Sequence, residues 1–208
     1  FCTGHGYLRT PQSIMSYASL ACIAIQANQN EMHGGQSVPN FDYAMAPGVA
    51  KTFVKEYFDA LAQIIALKQG LPYDEAVDMA KKIAKEVPNP TISNAANYAQ
   101  ELEKWYDEAL DHYGADKEVL LSGHKNAAKT AYIKTDKATY QAMEALVHNL
   151  NTMNSRAGAQ VPFSSVNYGT DTSAEGRMVV RNLLLATDAG MGNGETPIFP
   201  VQIFKVKE

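Results

Sequence analysis

The sequence predicts an α/β fold in which a long helical stretch separates two strand-bearing segments, and three observations carry that expectation. Asn154–Tyr168 and Gly192–Pro200 are each a small-residue turn opening onto an apolar, strand-like run, and Ser173 to Ala189 between them has helical spacing. The order is strand, helix, strand. At an offset of 124, Asn30, Gly34 and Gln36 fall on Asn154, Gly158 and Gln160. Each group follows a long apolar helix and precedes Val-Pro with an aromatic, so two related βα units with equivalent loops are expected. From Pro72 to about Asn154 the pattern is almost continuous helix.

Composition sets the broad class. The chain has 208 residues, 46% hydrophobic and 19% charged, enough for one sizeable core or two small ones. No apolar run approaches the roughly 18 residues of a membrane span, and no basic leader with a cleavage site is visible. A soluble, cytoplasmic protein is expected, with no membrane partner. The net charge of −4 speaks against a general DNA or RNA binder, which carries a basic face, but leaves single nucleotides open. Two cysteines, Cys2 and Cys22, make no disulfide framework, and five histidines show no paired ligand spacing. No metal site is expected in this chain. Cys22 sits in an apolar helical stretch and reads as a buried structural thiol.

In chain order, Thr10-Pro11 announces a first helix running to about Met32, with Ile14, Tyr17, Ala21, Ala24 and Ile25 at helical spacing. It breaks at His33-Gly-Gly-Gln-Ser37. Val38 to Tyr43 reads as a short strand, and a second helix is expected from about Pro47 to Gln69, closed by Gly70. Tyr73 to Val87 is a third helix, stopped by Pro88-Asn-Pro90. Ser93 is the candidate cap of a helix running to Tyr113. Another begins near Asp116, and Thr135-Asp-Lys reads as the start of a separate helix ending at the Gly158 turn. The last strand runs to the end of the sequence, which suggests a piece of something longer.

Several residues have chemistry suited to a site. Glycine where a loop enters a strand permits positive φ or close approach to a ligand, which singles out Gly34, Gly35, Gly158 and Gly194. The amides of Gln36 and Gln160 both donate and accept, so they suit either a ligand or a stitch between loops. Glu195, beside Thr196, suits either proton transfer or the capping of local amides. Lys125, Lys129 and Lys134 belong to a lysine-rich run that suits a solvated helix face or a phosphate.

The runs Asn149–Asp171, Gly192–Lys205 and Gln29–Asp42 closely resemble the anaerobic, oxygen-sensitive class III ribonucleoside triphosphate reductases of the glycyl radical enzyme family. The similarity extends along essentially the whole chain and is weakest between about Gly70 and Val119. It implies the front and middle part of a ten-stranded α/β barrel with a long helical insertion. Residues 1–70 would form a first barrel unit, 71–148 a helical region on the dimer and effector side, and 149–208 a second barrel unit, all within one larger catalytic domain.

The resemblance also implies chemistry. Such enzymes reduce ribonucleoside triphosphates to their 2'-deoxy forms by glycyl and thiyl radical chemistry, in many members with formate as reductant. A radical-SAM iron-sulfur activase is the implied partner, zinc lies in the carboxy-terminal region, and the enzyme is a homodimer. The radical-bearing cysteine of the family stands in a Met-Gly-Cys-Arg context absent from this chain, and neither Cys2 nor Cys22 matches, so no catalytic residue and no cofactor is assigned within it. By resemblance Gly34, Gly35 and Gln36, with Gly194, Glu195 and Thr196, neighbour the substrate. Asn154, Arg156, Gly158 and Gln160 belong to the loop through which a bound deoxynucleotide or ATP effector selects the base, and Lys125, Lys129 and Lys134 meet effector phosphates. Two other readings stay open: a non-enzymatic nucleotide-binding helical regulatory module, and a different glycyl radical enzyme such as an acyl-transferring lyase.

Overall fold

Three short strands, β1 (Gln36–Val38), β2 (Ser164–Tyr168) and β3 (Val201–Phe204), form one parallel sheet in the order β1-β2-β3. Gln36 pairs with Ser164 and Val38 with Val166, while Ser165 pairs with Val201 and Tyr168 with Phe204. The computed structural model from which this is read describes residues 9–32, 34–106, 114, 116–154 and 160–206. Six helices accompany the strands among these residues: α1 (Ile14–Glu31), α2 (Phe41–Gln69), α3 (Tyr73–Glu86), α4 (Tyr98–Trp105), α5 (Lys117–Thr152) and α6 (Ala174–Ala189). The architecture is α/β and helix-rich. None of these helices is long and apolar enough to cross a membrane.

The chain divides into two units, one comprising the chain up to Lys51 together with Asp136 onward, the other Thr52–Thr135. The first holds the sheet. Its α1 buries Ile14, Ala18, Cys22, Ile25 and Gln29, one stripe at three- and four-residue spacing. In β2 burial alternates, with Ser164, Val166 and Tyr168 inside, as the two-residue side-chain period of a strand requires. The crossover α6 starts where Ser173 Oγ accepts Gly176 N–H at 3.0 Å and Asp171 Oδ1 accepts Ser173 N–H at 2.8 Å. It meets α5 through Asn182 Nδ2, which donates to Asp136 Oδ1 at 2.8 Å, and through the Arg181–Asp136 ion pair at 3.4 Å.

The second unit packs around Tyr57. Its ring meets Phe58 and Tyr98 edge-on at 5.2 and 5.5 Å, and Leu61, Ile83, Leu102 and Leu120 complete a dry core. Tyr57 Oη and His124 Nδ1 are hydrogen-bonded at 3.0 Å inside it. Burial and the charge of Lys125 depress the His124 pKa, against the opposing pull of the Ala95 backbone, so the imidazole is held neutral.

Sequence signals misplace six features. The first helix is capped by Ser13, whose Oγ accepts Ser16 N–H at 3.3 Å, rather than by Thr10-Pro11. The strand expected over Val38–Tyr43 ends at Val38, because Ala44 N–H already donates to Asn40 O at 2.9 Å and the backbone coils into α2 from Phe41. Pro47 therefore lies inside α2 rather than at its start. Ser93 caps nothing: α4 begins at Tyr98, and Thr91 and Asn94 form a reciprocal turn at 2.7 and 3.0 Å instead. Thr135-Asp-Lys starts no helix, because α5 runs unbroken from Lys117 to Thr152; no Pro interrupts that stretch, its glycine, Gly123, lies well before Thr135, and Thr135 is fully buried. Finally, the sheet aligns Gln36 with Ser164, so the two Gln positions matched at an offset of 124 do not stand level in it.

Candidate functional site

Because all three strands run parallel, the loops that enter them share one edge of the sheet. That edge gathers Gly34 and Gly35 before β1, Gln160 to Phe163 before β2, and the Gly190–Pro200 segment before β3. Gln36 N–H donates to Phe163 O at 2.8 Å. Gly35 faces the Phe163 ring so closely that a Cβ would lie 2.9 Å from it, so the first two loops touch at a position where a side chain would displace the ring. Phe163 in turn packs edge-on against Phe199 at 5.1 Å, which joins the third loop to the second.

The third loop carries a tight turn. Met191 N–H donates to Glu195 O at 2.9 Å and Glu195 N–H to Gly192 O at 3.0 Å. Gly190 starts it at φ +76, where a Cβ would lie 2.7 Å from Glu195 O. Gly194, Glu195 and Thr196 are exposed and line a cavity of about 460 Å³ together with Thr187, Asp188 and Gln202. A polar chain runs along its floor. Tyr168 Oη donates to Gln202 Oε1 at 2.8 Å, Gln202 Nε2 to Thr187 Oγ1 at 2.7 Å, and Thr187 Oγ1 to Leu183 O at 2.8 Å. Burial raises the Tyr168 pKa, which keeps the phenol a donor. The arrangement offers a carboxylate, hydroxyls and an ordered amide to a small polar ligand.

Gln36 itself is buried, and its Nε2 makes a long 3.4 Å contact to Gly34 O. Asn154 and Gln160 are exposed, while Arg156 and Gly158 lie outside the described residues. Lys125, Lys129 and Lys134 belong to the Thr52–Thr135 unit and are exposed along α5; Lys134 Nζ is 3.3 Å from Glu56 Oε2. Cys22 is buried in α1, and burial pushes its thiol pKa up to about 11 despite a hydrogen bond with Asn149, which keeps it protonated. Among the described residues no cluster of His, Cys, Asp or Glu could hold a metal ion.

The opposite, carboxyl-terminal edge of the sheet is closed by the chain itself. Asp42, fully buried, accepts N–H groups from Tyr43, Gly169 and Asp171, while Lys205 Nζ donates to Pro39 O and Asn40 Oδ1 at 2.5 and 3.2 Å. Beside it Val180, Leu184, Leu185 and Phe204, with Arg177 and Arg181, line a largely apolar cavity of about 680 Å³.

Three residues that knit these edges have little local signature. Asn151 joins the end of α5 to the third loop, Phe163 bridges the loops, and Asp42 ties the exits of β1 and β2. The available signal at Asn151 is a polar residue four positions after Val147 on a buried stripe, and His124 carries the same signal four positions after Leu120.

Comparison with known proteins adds an independent line. A family model described as anaerobic ribonucleoside-triphosphate reductase matches residues 1–208. The anaerobic ribonucleoside-triphosphate reductase of Enterobacteria phage T4 is 27% identical over 210 residues, covering 100% of this chain and 25% of its own length. Those of Salmonella typhimurium and Escherichia coli K12 are each 33% identical over 76 residues, 36% of this chain and 10% of theirs. The chain thus spans about a quarter of the length of the phage relative.

Proposed function

The chain belongs to the anaerobic ribonucleoside-triphosphate reductase family, and from that premise we propose that it supplies the substrate-facing and effector-coupling scaffold of an oxygen-sensitive reductase of ribonucleoside triphosphates. The observation that carries the proposal is the family match along all 208 residues. The gathering of the three strand-entry loops on one edge supports it: Gly34, Gly35 and Gln36 stand on the same edge as Gly194, Glu195 and Thr196. On this reading the sheet is part of a ten-stranded barrel, with residues 1–70 and 149–208 as its strand-bearing units and 71–148 as the helical, dimer-facing region.

The residues of this chain then bind and orient. Sugar radical chemistry needs a pocket that excludes water and oxygen; within this chain the contacts of Gly35 with Phe163 and of Phe163 with Phe199 hold the three loops together, with Phe163 itself 62% exposed. The Glu195 carboxylate and Thr196 hydroxyl would face the nucleotide from the third loop. The radical and its cysteine, the zinc of the carboxy-terminal region, formate as reductant and the iron-sulfur activase belong to the rest of the enzyme. A cytoplasmic homodimer, with an effector nucleotide read by Lys125, Lys129 and Lys134 and by the loop containing Asn154, Arg156, Gly158 and Gln160, completes the proposal.

The test is anaerobic turnover of the whole protein after activation, with all four ribonucleoside triphosphates. Formation of 2'-deoxynucleotides, with Gln36→Ala raising KM and leaving radical yield intact, is the expected result. No deoxynucleotide from any substrate, under conditions that generate the glycyl radical signal, would overturn it.

A further inference from the structure

The amide of Asn151 makes four hydrogen bonds, which is its full capacity. Its Nδ2 donates to Val147 O at 2.7 Å, one turn back in α5, and to Phe199 O at 2.6 Å. Its Oδ1 accepts Ile198 N–H at 2.9 Å and Phe199 N–H at 3.0 Å. The side chain thus serves Phe199 as a neighbouring strand would, satisfying both of its backbone groups, while its remaining hydrogen is anchored to the helix. Phe199 is buried and carries the ring contact to Phe163. The Gly192–Glu195 turn is closed by its own hydrogen bonds, so it is a small preformed body attached to the sheet edge through Pro197, Ile198 and Phe199. On its amino side the turn follows α6 directly, with Gly190 N–H donating to Thr187 O at 3.2 Å; on its carboxyl side the attachment is held by one side chain from the last turn of α5.

We infer that Asn151 is the positioning residue for the Gly194–Thr196 turn, and that it makes nucleotide binding at that turn depend on the carboxyl end of α5. The inference rests on the reading of the turn as substrate-facing. Its physical content is specific. Without the amide, two backbone N–H groups and two carbonyls lose a partner together, and the turn loses its fixed distance from the helix. Displacing the turn removes contacts that bound nucleotide makes equally in its ground and transition states, so the loss appears in nucleotide affinity rather than in turnover or the radical.

The experiment uses the whole reductase, activated anaerobically. Asn151→Ala should raise KM for ribonucleoside triphosphate roughly tenfold or more, with kcat within about twofold and the glycyl radical signal unchanged. Asn151→Asp keeps the acceptor for Ile198 and Phe199 and loses both donors, so it should show a smaller rise. If the alanine variant does not accumulate folded, the aspartate variant decides on the same KM criterion. A purely structural role predicts lower thermal stability or radical yield with KM unchanged, and that result overturns the inference. Glu195→Ala and Thr196→Ala separate it from the reading beneath it. If they raise KM and Asn151→Ala does not, the turn faces substrate but Asn151 does not position it. If neither turn variant changes KM, the substrate-facing reading fails; a KM effect confined to Asn151 then means that it acts by another route, which also overturns the inference.

Discussion

Asp42 Oδ2 accepts the backbone N–H of Asp171 at 3.0 Å across 129 positions of sequence, and the same oxygen accepts Gly169 N–H at 2.8 Å. One buried carboxylate therefore joins the first turn of α2 to the loop that leaves β2. Asp42→Ala strands these N–H groups, and each stranded buried donor costs about 1 to 3 kcal/mol. The expected loss in the whole protein is about 2 to 5 kcal/mol by chemical denaturation, with Asp42→Asn in between. A loss under about 0.5 kcal/mol would show that the junction is not needed. Burial alone pushes this carboxyl up, but the N–H groups of Asp171, Gly169 and Tyr43 outweigh it and hold the pKa below 3.8. A depressed carboxylate stabilises above its unfolded pKa, so this contribution is present at neutral pH and fades as pH falls below about 4.

His124 shifts stability in the same direction, in a higher pH window. Its folded pKa lies below the ordinary 6.5, so the unfolded chain binds the proton more readily. Stability is therefore full above about pH 6.5 and declines as pH falls beneath it. His124→Gln should flatten the denaturation midpoint between about pH 5 and 7, and an unaltered slope would refute the assignment. Tyr57→Phe removes the 3.0 Å partner of Nδ1 and should destabilise by about 1 to 2 kcal/mol.

Gly190 meets two constraints at once, a φ of +76 and a Cβ position 2.7 Å from Glu195 O. Gly190→Ala should therefore cost about 1 to 3 kcal/mol and shift the turn that carries Glu195. Amide exchange at Met191 and Glu195, whose N–H groups close the turn, is the direct reading; protection equal to the parent would count against it.

Lys134 and Glu56 are 3.3 Å apart at partly exposed positions, where such pairs contribute about 0 to 1 kcal/mol. Lys134→Ala should leave the melting temperature within about 2 °C. If Lys134 meets effector phosphate, the same variant weakens deoxynucleotide binding several-fold, more so at low salt. Calorimetric titration of the whole protein separates the two roles: unchanged affinity leaves Lys134 with Glu56 alone.

What the sequence determined by itself is local. The existence of α1 with Ile14, Cys22 and Ile25 inside, α3 up to its Pro-rich stop, the Ser173 start of α6 and the strand-helix-strand order all follow from side-chain periodicity and capping, which act within four residues. Tyr17, Ala21 and Ala24, however, are only half-buried, and Ala18 and Gln29 complete the buried stripe. The family runs were legible too, because they are contiguous. Tertiary structure decided the rest. Whether Thr135 starts a helix or lies buried within one depends on what surrounds it, and the same residues are compatible with both. The pairing of Gln36 with Ser164 rather than Gln160 came from sheet register, which internal resemblance does not specify. Asn151 and Asp42 reach partners 48 and 129 positions away, and a hydrogen bond closed across such a loop leaves no trace in the residues on either side of it.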